Sequence, residues 1–431
     1  MLIVKDLTAT RQMLFEMAES LPTVLEAESV DLAHALGRIL AGPLLAPADV
    51  PAFNRSQVDG YAVRAADTFG ASEASPSILR LDGDVKMGLP ADIPLIAGSC
   101  QSVPTGGQIP AGADAMIMLE DTDDFGDGSR YLNRPVSPGS HIIFRGDDIR
   151  EGDLLLPAGI RLETRHLSAA AAAGLGQVSV TRLLRVAVIS TGDELVDPGE
   201  PLTEGRIYDV NQVMLTAMIA HAGAKPCNYG IIPDEFSQLQ NVMKQAQSAC
   251  DVIVISGGSS VGARDHVAAV IEATGLPGVL QHGIAVKPGK PTLIGLCDGK
   301  PVIGLPGHPI AAWFIASQLL IPLLYQMQKR PEPKAKTIKA RLSRRVPSNT
   351  GREEFVLVQL SGNGNGGNQD NEGRKEPDSI YAEPVFAKSG LITLLSRCQG
   401  YIQIPRDCEG LDEGTAVNVI LMDSDSAKGV E

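Results

Sequence analysis

Between residues 184 and 328 the apolar positions come in unbroken runs separated by amphipathic stretches. VAVIS (186–190) and DVIVI (251–255) have strand length and continuous apolar character, as strands buried on both faces of a parallel sheet do. Helical spacing follows at about 210–222, and a second helix is predicted from Pro233, with Asp234 and Glu235 near its positive N-terminal end. A helix at 265–274, strands near 292–296 and 301–305 and a helix at 309–328 complete an α/β unit with a parallel sheet.

The flanking patterns differ. Residues 8–40 predict two short helices, with Leu14, Ala18 and Leu21 on one face and Leu32, Ala35 and Leu36 on another. From Gly42 to Pro157, short β-like runs (77–81, 115–119, 141–144) punctuated by Pro and Gly predict a β-rich unit, and the alanine run at 164–173 predicts a helix. KRPEPK (329–334) reads as a linker, since its prolines cannot continue a helix. Beyond it TIKARL, EFVLVQL, YIQIP and AVNVILM predict a small β-barrel or sandwich, with the polar stretch 361–379 as a mobile hairpin tip.

Composition narrows the function. At 431 residues the chain exceeds one ordinary domain, and 44% hydrophobic with 20% charged residues is usual for a soluble multidomain protein. A net charge of −14 excludes nucleic-acid binding by phosphate neutralisation, but leaves room for a small anion held by a few focused cations. The six cysteines form no C-x-x-C pair and read as reduced thiols. The N-terminus has no signal-peptide pattern, and no run approaches the roughly 18 apolar residues of a bilayer span, so no membrane association and a cytoplasmic location are expected.

Several motifs could carry chemistry, each with a plain structural alternative. SGGSSVG (256–262) follows a predicted strand, where Gly257 and Gly258 would let backbone N–H groups approach an anion or simply form a tight turn. STGDEL (190–195) puts Asp193 and Glu194 at the same sheet edge, as ligands or as helix caps. KPGKP presents Lys287 and Lys290 around a Pro-Gly turn, either to one anion or to solvent. GLPGHP (304–309) opens a helix at Pro309, with His308 facing a ligand or bonding backbone. Asp59 in DGYAV, Thr105 in PTGG and Asp148 in GDDI all sit in turn-like contexts.

Together, DGYAV, PTGG-x-x-P-x-GADA, G-[acid]-DI, STGDEL, SGG-x-SVG, KPGKP and GLPGHP occur in the order and approximate spacing of the MoeA/gephyrin E-domain family, which the chain resembles from about residue 8 to about 422. The resemblance implies an elongated helical and β segment (1–53 with 150–180), a β-rich insertion (54–149), a three-layer molybdopterin-binding α/β domain (181–330), a C-terminal β-barrel (331–425) and a tail (426–431). It implies a head-to-tail homodimer in which the DGY-bearing unit of one protomer approaches the α/β cleft of the other. The implied activity is that of a molybdopterin molybdenumtransferase, placing molybdate-derived molybdenum on the dithiolene of adenylylated molybdopterin with release of AMP and dependence on Mg2+. A MogA-like adenylyltransferase and molybdoenzyme-maturation chaperones are the further partners expected.

By the same resemblance Asp59, Glu194, Asp234 and Asp265 are the catalytic acids, with Asp265 and Glu194 holding the metal. Lys287, Lys290 and Pro291 face the anion, Arg352 and Ser389 bind oxyanion, and Thr105, Asp148, Gly257, Gly258 and Ser260 contact substrate. The chain departs from the family pattern at His308 (usually Asn), Ala311 (usually Ser), Ser259 (usually Val) and Val58 (usually Met). Competing readings are a non-catalytic pterin-binding scaffold, a tungstate-specific transferase and a MogA-like adenylyltransferase. The five retained residues Asp59, Glu194, Asp265, Lys287 and Lys290 count against the scaffold, and the long flanking domains against the adenylyltransferase.

Overall fold

A computed structural model describes residues 4–21, 26–257, 261–362, 380–386 and 390–422, with the backbone alone for 261–265. The chain forms two compact units, residues 26–182 and residues 1–25 with 183–431.

Helix α1 (Leu7–Ser20) belongs to the second unit. It starts where the Asp6 side chain accepts the Ala9 N–H at 2.7 Å, and it buries Leu7, Leu14, Met17 and Ala18. The second helix expected from Leu32, Ala35 and Leu36 does not form. Strand β1 (Ala27–Asp31) occupies that region, pairing antiparallel with Gln177–Thr181, and only one 3-10 turn, Leu32–His34, follows. Gly37 at φ +77° ends any helical path, and strand pairing outweighs a weak local preference.

Within residues 26–182, β2 (Gly60–Val63), β3 (Ser77–Asp84), β4 (Ser99–Val103), β5 (Ala115–Met118), β6 (Thr122–Asp123) and β7 (Ser129–Leu132) form one sheet in the order β5-β2-β4-β3-β7-β6. The alanine run forms α2 (Thr164–Ala172), followed by β8 (Gln177–Thr181).

The α/β part of the other unit is a sheet of β9 (Arg185–Thr191), β10 (Lys225–Ile232), β11 (Val252–Gly257), β12 (Pro277–His282), β14 (Leu293–Cys297) and β15 (Lys300–Leu305). Its order is β10-β9-β11-β15-β14-β12. Side chains alternate between its faces: Val186, Val188, Val252 and Val254 meet α1, α3 (Val210–His221) and α6 (Pro309–Met327). Ala187, Ile189, Ile253 and Ile255 meet α4 (Phe236–Ala249) and α5 (Val261–Thr274). Three layers result.

The sheet is not wholly parallel. Five strands run in one direction, and only β14 is reversed, antiparallel to both β15 and β12. The cause is a two-residue turn, Asp298 (φ +46°) and Gly299 (φ +82°), which can join only antiparallel neighbours.

Helix α6 is 19 residues with a mean hydropathy of 1.5, long and apolar enough by length and composition alone to cross a membrane, but 72% of its 18-residue apolar window is buried within the protein, as in a core helix. Residues 316–320 are a π turn, since Pro322 cannot donate to the Gln318 carbonyl four residues back and the backbone widens there.

The C-terminal strands β16 (Thr337–Leu342), β17 (Glu353–Ser361), β18 (Tyr381–Pro384), β19 (Gly400–Ile404) and β20 (Ala416–Leu421) run in the order β17-β18-β16-β20-β19, and β17 also pairs with β19. That closes a barrel rather than a sandwich. Phe314 of α6 stacks on Phe355 at 5.0 Å and meets Tyr401 edge-on at 5.2 Å, joining barrel to α/β core. The proposed hairpin tip, 361–379, lies almost wholly outside the described residues.

Candidate functional site

Strand β9 has β10 on one side and β11 on the other, so the direction of winding reverses beside it. In open α/β sheets the crevice at the carboxyl ends of such strands is where ligands bind. A cavity of about 430 Å3 opens there, lined by Thr191 at the end of β9, Gly257 at the end of β11, Glu194, and the Asp209 to Asn211 turn that starts α3. At Gly257 (φ +151°) an added Cβ would lie 2.1 Å from the Thr191 carbonyl oxygen, so the approach of the two strand ends requires glycine.

Asp193 and Glu194 cap no helix; α3 begins at Val210 with Asp209 as its cap. The helix expected from Pro233 begins at Phe236, leaving Asp234 in the preceding turn. There the Thr191 hydroxyl donates to Asp234 Oδ1 at 2.5 Å, and the Asp234 N–H donates to Asp193 Oδ1 at 3.3 Å. Asp234 therefore stands behind the wall of the strand-end cavity, held through Thr191.

A second cavity, about 610 Å3, lies between the KPGKP turn, the start of α6 and the barrel. Strand β13 (Val286–Lys287) pairs parallel with β17, setting Lys287 beside Glu354. Lys287, Lys290, Pro291 and Arg352 all line this cavity. Lys287 Nζ donates to Glu354 Oε1 at 2.5 Å; the carboxylate, 7% exposed, also accepts the Ser348 hydroxyl at 2.8 Å. No carboxylate among the described residues pairs with Lys290 or Arg352. Two cations without a carboxylate partner among the described residues suit this concavity to an anion although the chain as a whole is acidic. Ala311, buried on the same wall, presents a methyl group. His308 lines both cavities.

In residues 26–182 the Asp59 side chain accepts the Thr105 N–H at 2.8 Å, and the Asp59 carbonyl accepts the Leu119 N–H at 3.0 Å, so two expected site residues share one exposed loop junction. Asp148 is exposed, its N–H donating to the Val50 carbonyl at 3.0 Å. Asp265 falls in α5 with its side chain outside the description, while Gly258, Ser260 and Ser389 lie outside the described residues. Sequence reasoning passed over Thr191, Asp209, Asn211 and Glu354. Glu354 opens the predicted strand EFVLVQL two residues after Arg352, a spacing that puts both on one face of extended chain, and this was the available signal for it.

Family models match the chain in three consecutive blocks: the MoeA N-terminal region (domain I and II) over residues 7–174, a probable molybdopterin binding domain over 187–326, and the MoeA C-terminal region (domain IV) over 339–422. The molybdopterin molybdenumtransferase 2 of Mycobacterium tuberculosis is 34% identical over 396 residues, 91% of this chain and 94% of that protein. The chain belongs to the MoeA family. The Bacillus subtilis molybdopterin molybdenumtransferase is 31% identical over 401 residues, 92% of this chain and 90% of that protein. The crystal structure of a molybdopterin biosynthesis MoeA protein from Pyrococcus horikosii superposes with a TM-score of 0.77 at 38% identity, covering 98% of this chain and all of that one. This MoeA-family chain thus has the multidomain MoeA fold, and it is a transferase of molybdenum cofactor biosynthesis.

Proposed function

We propose that this chain transfers molybdenum from molybdate to the dithiolene of adenylylated molybdopterin and releases AMP. The observation that carries the reading is the pair of unneutralised cations, Lys290 and Arg352, in a cavity that shares His308 with the strand-end crevice. Two substrates of different chemistry need adjoining pockets: a tetrahedral dianion suits fixed ammonium and guanidinium donors, and a planar heterocycle with a phosphate suits a glycine-rich strand edge. Lys287, oriented by Glu354, supplies a third donor at the rim.

Mg2+ fits this site as a shared rather than a protein-caged ion. Among the described residues no three His, Cys, Asp or Glu side chains gather as a metal cluster, and Mg2+ commonly takes only one or two carboxylates together with substrate phosphates. Glu194, which lines the crevice, and Asp265 are the proposed ligands. Bound there, the cation would neutralise phosphate charge as adenylate leaves. Asp234 holds the Thr191 hydroxyl and so fixes the crevice wall. We assign Asp59 a catalytic role and Thr105 and Asp148 substrate contacts, completed in a cytoplasmic homodimer, with the domain division given by the family resemblance.

The test is reconstitution of the purified protein with adenylylated molybdopterin, Mg2+ and molybdate, following AMP and the molybdenum-loaded pterin. Stoichiometric appearance of both is expected. Pterin binding without AMP release would favour a scaffold, and AMP release with tungstate alone a tungstate-specific enzyme.

A further inference from the structure

Among the described side chains that line the cationic cavity, Lys287, Lys290 and Arg352 can only donate hydrogen bonds. His308, at the end shared with the strand-end crevice, can donate or accept and so favours neither kind of ligand. Glu354 is the one carboxylate among the described residues of that lining, and it is engaged on both oxygens. Oε1 takes the Lys287 ammonium at 2.5 Å and Oε2 takes the Ser348 hydroxyl at 2.8 Å. With the residue 7% exposed, little of either oxygen faces the cavity. The backbone fixes both contacts. Pairing of β13 with β17 sets Lys287 beside Glu354, and the Ser348 N–H donates to the Glu409 carbonyl at 2.9 Å.

We propose that Lys287 and Ser348, by closing off Glu354, make this cavity select oxyanions that carry no proton and reject phosphate. This deepens the proposed function and rests on its placing of molybdate here. Near neutral pH molybdate, tungstate and sulfate are bare tetrahedral dianions whose four oxygens all accept. Inorganic phosphate keeps a proton, so one of its oxygens is a hydroxyl that must donate. Among ammonium and guanidinium groups that hydroxyl meets other donors, and a ligand donor left unpaired in a partly enclosed site forfeits affinity. An open carboxylate in the same place would act in reverse, accepting from phosphate and repelling the bare dianions. Glu354 can thus orient Lys287 without becoming a phosphate-reading group itself.

The test uses the full chain at mildly alkaline pH, where phosphate is a dianion like sulfate and nearly the same size, so that the proton distinguishes them. Molybdate is titrated calorimetrically, alone and in competition with each. In the wild type sulfate should displace molybdate at least about tenfold better than phosphate. Lys287→Ala uncovers Glu354 Oε1 and should close that gap, weakening sulfate by about tenfold or more while phosphate changes far less. Adding Glu354→Gln should recover part of the sulfate affinity, because the repelling charge is gone. Equal losses of sulfate and phosphate in Lys287→Ala would make the lysine a cation only and overturn the proposal. Should that variant not fold, the wild type decides: equal displacement by sulfate and phosphate overturns the inference alone, and no binding of molybdate removes the oxyanion reading of the cavity with it.

Discussion

Lys287 and Lys290 sit three residues apart in one cavity but should behave differently when removed. Lys287→Ala strands the Glu354 carboxylate, 7% exposed, with only the Ser348 hydroxyl as partner. Breaking a buried pair costs ~3–5 kcal/mol, whereas exposed pairs contribute ~0.2–1 kcal/mol. The Lys287 side chain is 47% exposed and solvent screens it, so an intermediate loss of about 1–2 kcal/mol is expected, a fall of roughly 0.5 M in urea midpoint for a unit of this size. Lys290→Ala removes a cation without a carboxylate partner among the described residues and should change stability by less than about 0.5 kcal/mol. Both variants lose a charge-assisted donor to oxyanion, worth about tenfold in molybdate affinity at a partly exposed site. Urea unfolding followed by the single tryptophan, Trp313, which meets Phe314 at 5.0 Å, reads the first quantity; calorimetric titration with molybdate reads the second. Adding Glu354→Gln to Lys287→Ala should recover most of the lost stability, because the stranded charge is gone. Equal urea midpoints for the two single variants would refute the reasoning.

Gly257→Ala should cost about 3 kcal/mol, because its Cβ would lie 2.1 Å from the Thr191 carbonyl oxygen; a midpoint unchanged in the same urea assay would contradict that close approach. Burial pushes the Cys100 thiol up to about 12 and those of Cys250 and Cys297 up to about 11. A raised thiol pKa leaves the protonated, unreactive form at pH 8, so a thiol reagent should label the half-buried Cys227 and Cys408 first, as peptide mapping would show. Chelation with EDTA should stop AMP release and Mg2+ should restore it, while pterin binding alone persists. Asp265→Asn should abolish AMP release with an unchanged circular dichroism spectrum.

The sequence by itself determined the α/β core. Runs such as VAVIS and VIVIS can be buried only between two layers of helices, and their alternating residues do face opposite layers. The same local logic located α1, α2 and four of the five barrel strands, all but Tyr381–Pro384, because periodicity and turn residues act over short distances. The antiparallel edge was also legible, in the Asp298-Gly299 turn between two apolar runs, although the parallel reading passed over it. Tertiary structure decided the rest. Residues 27–31 became a strand because their partner lies near residue 179, a pairing no local window contains. Barrel closure over sandwich depended on β17 finding a second neighbour. The site divides in the same way: motifs exposed Lys287, Lys290 and Arg352 one at a time, but only the pairing of β17 with β13 set Glu354 against Lys287, leaving Lys290 and Arg352 without a carboxylate partner among the described residues. Charge balance in a cavity is a property of residues distant in sequence, so it is fixed by packing and not by any segment alone.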